Sequence, residues 1–116
     1  MKTEILDQET IESLRELSDG SDELLADLIT VFLEEAPSRM KLIEDSIAAG
    51  DAKQVAFGAH KLRGGAQALG AIRLSEVLDE VESAARSNDL DSVALRIPDI
   101  RTELADATSE LKRLIS

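Results

Sequence analysis

The sequence predicts an all-α protein, a single domain over residues 1–116 built from helices joined by short connections. Three observations carry this. Apolar residues recur at spacings of three and four along the whole chain, and no stretch alternates as a strand would. Ala, Leu, Glu, Asp and Arg dominate, with only two prolines to interrupt helices. A chain of 116 residues can bury roughly two-thirds of its unfolded surface, so one core suffices without disulfides or metals.

The first helix is predicted after Asp7 as N-cap, with Leu6 and Ile11 placed for a hydrophobic staple and Ile11, Leu14 and Leu17 on one face. Ser18-Asp19-Gly20 stops it. The second, capped by Ser21 or Asp22, carries Leu25, Leu28, Ile29, Phe32 and Leu33 until Pro37 forces a break or a new first turn. A third runs over Met40, Ile43 and Ile47 to Gly50. Asp51 caps the fourth, with Gln54 at the spacing of a capping box, and its pattern continues to the C-terminal glycine Gly70. The fifth carries Leu74, Val77, Leu78 and Val81 as far as Ser87-Asn88-Asp89. The sixth carries Val93, Ile97, Ile100, Leu104, Ala107, Leu111 and Leu114 at bundle-seam spacing, with a kink or a separate short helix expected at Pro98. There is no repeat, linker or low-complexity segment.

Composition removes several function classes. With no cysteine and one histidine, thiolate and multi-histidine metal sites are excluded. A bundle metal centre of the Glu-x-x-His kind is set aside as well, because Phe57 stands three residues before His60. No metal ligands and no cofactor of its own are therefore expected. A net charge of −11 opposes binding to nucleic acid and to anionic membranes. Without Trp or Tyr there is no aromatic platform for bases or sugars. The N-terminus lacks a signal-peptide pattern, and no apolar run reaches the length of a membrane span. The expectation is a soluble cytoplasmic protein, a monomer by its acidic surface unless an exposed apolar patch pairs two copies.

The acids are unevenly spread: none lies between Ala52 and Ser75, where Lys53, Lys61, Arg63 and Arg73 fall. This is the fourth helix and its exit. At 100° per residue, Val55, Ala59, Leu62, Ala66 and Leu69 stay within about 40° of one line, the core face. On that wheel Gln67 lies about 120° from the stripe, His60 about 140°, Gly64 about 180° and Phe57 about 200°. The histidine faces away from the core.

Gly64 and Gly65 together cost a helix interior about 2 kcal/mol relative to alanine. Gly64 could simply end the helix, but Ala66 and Leu69 continue the stripe in register beyond it. In a continuous helix Gly64 lies one turn beyond His60 on the same side, so no side chain covers the ring from there. Lys61 and Arg63 add positive charge beside it, and no acid is near in the chain. An exposed imidazole titrates near neutrality and can attack phosphorus without a dedicated base. Phosphoryl transfer depends mainly on positioning and charge neutralisation, so such a carrier needs few parts if its partner brings the rest. No nucleotide-binding motif is present, so the chain is not expected to act as an ATP-dependent kinase.

The run His60, Lys61, Leu62, Arg63, Gly64, Gly65, Ala66 and Gly70 resembles the histidine-containing phosphotransfer (HPt) domains of two-component phosphorelays. The resemblance implies an antiparallel up-down four-helix bundle with short accessory N-terminal helices, and it extends over nearly the whole chain. It implies that His60 is phosphorylated, that Lys61 and Arg63 lie near the incoming phosphoryl group, and that Gly64 gives a receiver domain access. The position five after the histidine is often serine in the family and is Gly65 here, so a hydroxyl that could help hold phosphate or imidazole is missing. The small volume is kept, and transfer is expected to survive.

Geometry adds Gln67 as a polar neighbour of the ring. It also makes Phe57, with Ala56 and Gly64, a docking surface, unless Phe57 packs against the N-terminal helix. The implied partners are response-regulator receiver domains, which would bring Mg²⁺, and a (hybrid) histidine kinase. The implied activity is reversible transfer between His60 and receiver aspartates. The alternative is a non-catalytic helical docking or anti-regulator module that binds a signalling partner.

Overall fold

A computed structural model describes residues 4–115, among which there are five helices and no strand. In chain order they are α1 (Gln8–Leu17), α2 (Glu23–Ala48), α3 (Ala52–Ala68), α4 (Ile72–Arg86) and α5 (Leu90–Ile115). The connections at 49–51, 69–71 and 87–89 are so short that each helix runs back along its predecessor, giving an antiparallel up-down four-helix bundle of α2 to α5. α1 packs against α2 as the one accessory helix among the described residues.

Six helices were expected, and the difference lies at Pro37. α2 runs unbroken through it. A mid-helix proline costs about 3 kcal/mol, because it removes one backbone hydrogen bond and crowds the preceding turn. Here the ring faces solvent, and the buried row Ile29, Phe32, Ala36, Met40 and Ile43 passes it in register. Packing along that row outweighs the local penalty. Pro98 is accommodated the same way: no separate short helix precedes it, and Val93, Ile97, Ile100, Ala107 and Leu111 form one buried row along α5.

The helix starts follow the sequence only in part. The Asp51 carboxylate accepts from the Gln54 amide at 3.2 Å and caps α3 as expected. Asp7 and Asp22 make no side-chain cap. Asp22 instead takes Arg15 Nε at 2.7 Å, leaving the Ser18 and Ser21 hydroxyls to accept from the Leu24 and Glu23 amides. Asp7 accepts from the Thr10 hydroxyl at 2.7 Å, and its own amide donates to the Gly70 carbonyl, also at 2.7 Å. An added Cβ on Gly70 would lie 2.9 Å from Thr10 Cβ, so the N-terminal segment packs directly on the turn that ends α3.

α3 is central, packed against α2 on one side and α4 on the other. The predicted stripe of Val55, Ala59, Leu62, Ala66 and Leu69 is wholly buried. Having two neighbours, α3 also buries Ala56 and Gly58 on either flank of that stripe. The middle of its solvent face bears Phe57, His60, Lys61 and Gly64, with Lys53 and Gln54 exposed before them and Gln67 and Ala68 after.

Candidate functional site

His60 lies where the outward face of α3 turns toward α4, with 58% of its side chain exposed. Arg63, one turn on, is tucked between the two helices. Beneath both is Glu82 of α4, its side chain only 7% exposed. The imidazole Nδ1 is 3.3 Å from Glu82 Oε1. Arg63 donates to the same oxygen from Nε at 3.1 Å and Nη2 at 2.9 Å. Arg86 donates to Oε2 from Nη2 at 2.6 Å and Nε at 3.0 Å. One buried carboxylate thus joins the histidine to two arginines, from α3 and α4.

Burial alone would push the Glu82 carboxyl up. Hydrogen bonds from Arg86 and His60, with the charge of Arg63, outweigh it and hold the group below the usual carboxylate range. The folded state then binds fewer protons here than the unfolded chain. The resulting stability is whole above about pH 4.3, the ordinary glutamate value, and is lost as pH falls below it. The drop in urea midpoint between pH 7 and pH 3 should accordingly be smaller in Glu82→Gln than in the wild type. Equal drops would show that the cluster contributes nothing to acid sensitivity.

The acid-free stretch in the sequence is therefore not acid-free in space: α4 brings Glu82 to the ring and Asp79 to Arg63 Nη1 at 3.4 Å. Neither Glu82 nor Arg86 was among the expected site residues. A signal for Glu82 existed, because it continues the buried row of α4 between Leu78 and Ala85, where a carboxylate needs partners. Arg86 lies one turn further on, at the spacing that joins side chains on a helix.

The remaining expected residues separate. Lys61 leans to the α2 side, its Nζ 5.4 Å from the centroid of the Phe57 ring. Phe57 is 48% exposed and lines, with His60, Lys53, Ala85, Arg86 and Asn88, a groove of about 620 Å³ between α3 and the end of α4. It belongs to this groove rather than to a contact with α1. Ala56 is buried in the floor of the groove, so it is no freely presented docking residue. Gln67 does not neighbour the ring. Two turns away, it lines a depression with Asp7, Thr10 and Gly70, because seven residues of helix carry it about 10 Å along the axis.

The two glycines also part company. A Cβ built on Gly64 meets nothing within 4 Å, so neither packing nor a positive φ requires glycine there. The helix forgoes roughly 1 kcal/mol at Gly64 and keeps open space beside the imidazole. A Cβ on Gly65 would lie 2.9 Å from Cδ1 of the buried Phe32 ring on α2. Position 65 therefore faces Phe32 and not the imidazole, which corrects the expectation that a side chain there would act on the phosphate. Gly65→Ser should lower the unfolding free energy by about 1–2 kcal/mol through overpacking. Chemical denaturation with an unchanged or raised midpoint would contradict this.

Among the described residues no group of three or more His, Asp or Glu could hold a metal ion. No helix is long and apolar enough to cross a membrane. The site presents a half-exposed imidazole beside two guanidinium groups, on a face kept open by Gly64.

The family model for the Hpt domain matches residues 27–113 of this chain. A crystal structure of histidine-containing phosphotransfer protein B (HptB) from Pseudomonas aeruginosa PAO1 is similar at 27% identity and a TM-score of 0.87, covering 97% of this chain and 95% of that one. The fold is shared with ZmHP2, a histidine-containing phosphotransfer protein from maize, at a TM-score of 0.79 and 18% identity, over 97% of this chain and 88% of that one. A putative histidine-containing phosphotransfer protein from rice shares it at a TM-score of 0.75 and 16% identity, over 94% and 78%. A comparison with curated protein sequences finds no match.

Proposed function

We propose that His60 carries the phosphoryl group in this chain, which belongs to the Hpt domain family and is a phosphotransfer intermediate. The observation that carries the assignment is the pairing of an exposed imidazole with Gly64, whose missing side chain leaves open space one turn away on the same face. The donor is a receiver-domain aspartyl phosphate. The Nε2 lone pair attacks phosphorus in line, the Nε2–P bond forms, and the P–O bond to the aspartate breaks with its electron pair returning to the carboxylate. Passing the group to a second receiver reverses these steps.

Arg63 and Arg86 stand beside the ring as donors for the equatorial oxygens, and either can share its protons between Glu82 and phosphate. The receiver contributes Mg²⁺. This chain contributes the nucleophile, its orientation and positive charge, and it is a carrier rather than a kinase. The exposed Phe57 and the groove beside it supply apolar surface for the receiver.

The test is incubation of the purified chain with a radiolabelled phospho-receiver and Mg²⁺. Label that survives alkali and is lost in acid is the expected result, since a P–N bond to imidazole has that profile and an acyl phosphate does not. A folded chain that takes no label from any of a panel of receivers would favour the docking-module reading.

A further inference from the structure

The two guanidinium groups beside His60 are not held alike. Arg86 gives both Nε and Nη2 to the buried Glu82 Oε2, at 3.0 and 2.6 Å, and pairs with no other carboxylate among the described residues. Arg63 gives Nε and Nη2 to Glu82 Oε1, and its third nitrogen, Nη1, rests on a second anion, Asp79 of α4, at 3.4 Å. Arg63 thus has a partner it can exchange, and Arg86 has none.

The two anions differ in what their release costs. The Glu82 side chain is 7% exposed, so taking a guanidinium from it would strand a charge away from water. The Asp79 side chain is 65% exposed, and water replaces its partner at little cost. A phosphoryl group on His60 brings up to about two negative charges beside Arg63. The arm of Arg63 that can turn to it is Nη1, and the contact given up is the one to Asp79.

We propose that Asp79 is a positioning residue that holds Arg63 Nη1 while His60 is unphosphorylated and yields it to the phosphoryl oxygens, so that it weakens the chain's hold on its phosphoryl group. The proposal rests on His60 being the phosphorylated residue. As the Nε2–P bond forms and the P–O bond to the receiver aspartate breaks, Arg63 exchanges one anion for another. The exchange forfeits the ion pair with Asp79, which tilts the equilibrium back toward the receiver. An intermediate must release its group as well as accept it, and a competing carboxylate serves the release. The coupling is reciprocal: phosphorylation loosens the Arg63–Asp79 bridge between α3 and α4 by the factor that Asp79 takes from phosphorylation.

The test mixes the chain with a radiolabelled phospho-receiver and Mg²⁺ until the label on each protein stops changing relative to the other, which gives the transfer equilibrium constant. Asp79→Asn removes the charge and keeps the shape. The constant should rise about threefold toward the phosphorylated chain, the worth of one exposed ion pair. In an Arg63→Gln background the same Asp79→Asn change should move it far less, because no guanidinium remains to be shared. Should Arg63→Gln fail to fold, Arg63→Lys replaces it, since one ammonium lacks the fork that reaches both carboxylates.

A merely structural Asp79 would leave the constant unmoved in either background. A carboxylate that acts only by its charge at a distance would shift it equally in both. Each of these results overturns the proposal while the wild type still exchanges label with receivers, so the carrier reading survives them. A folded wild type that takes no label from receivers overturns the carrier reading, and this proposal with it.

Discussion

His60→Gln abolishes phosphoryl acceptance from a phospho-receiver while leaving helix content and thermal unfolding nearly unchanged. The amide of glutamine has no nucleophilic nitrogen, so no Nε2–P bond can form at position 60. The structural cost is small. The side chain is 58% exposed, and the buried Glu82 beneath it keeps Arg63 and Arg86 as donors when the ring is gone. The loss is that of a single hydrogen bond at a wet site, about 1 kcal/mol at most. Labelling at background with an unfolding midpoint near that of the wild type is the expected pair of results. Retained label in the variant would remove His60 from the mechanism.

Gly64→Gln should move stability and transfer in opposite directions. An added Cβ meets no neighbour within 4 Å, so the fold accepts a side chain there. Helix propensity then favours the variant by roughly 0.5 kcal/mol. The same side chain projects into the space beside the imidazole through which a receiver aspartate must approach in line. A displacement of about 1 Å at such a centre can cost on the order of a hundredfold, so transfer should slow by about ten- to a hundredfold. Rapid-quench transfer kinetics beside urea unfolding would show both effects. An unchanged rate would mean that Gly64 is not needed for access.

Local pattern made much of the fold legible. The row of Val55, Ala59, Leu62, Ala66 and Leu69 marks the buried face of α3, and Asp51 marks its start, because both depend only on helical spacing and on one short-range hydrogen bond. Pro37 misled, since its penalty is local while the packing that carries α2 past it comes from other helices. Ala56 misled for a related reason: a helix flanked on both sides buries more than a single stripe.

The outward face of His60 and the openness at Gly64 follow from the wheel of one helix. The carboxylate under the ring does not, because Glu82 lies 22 residues away and meets Arg63 and His60 only across the α3–α4 interface. Gly65 shows the converse. Its place in the motif points to phosphate chemistry, whereas the helix turns it toward Phe32, and packing accounts for the glycine.

The most direct test of the central claim is to locate the phosphoryl group on the chain. The protein would be labelled by a phospho-receiver with Mg²⁺, digested under alkaline conditions that spare P–N bonds, and its peptides sequenced by mass spectrometry. A phosphoryl group on His60, lost on acid treatment and discharged by adding an unphosphorylated second receiver, is the predicted result. Phosphate on any other residue, or none on a folded chain with competent receivers, would contradict it.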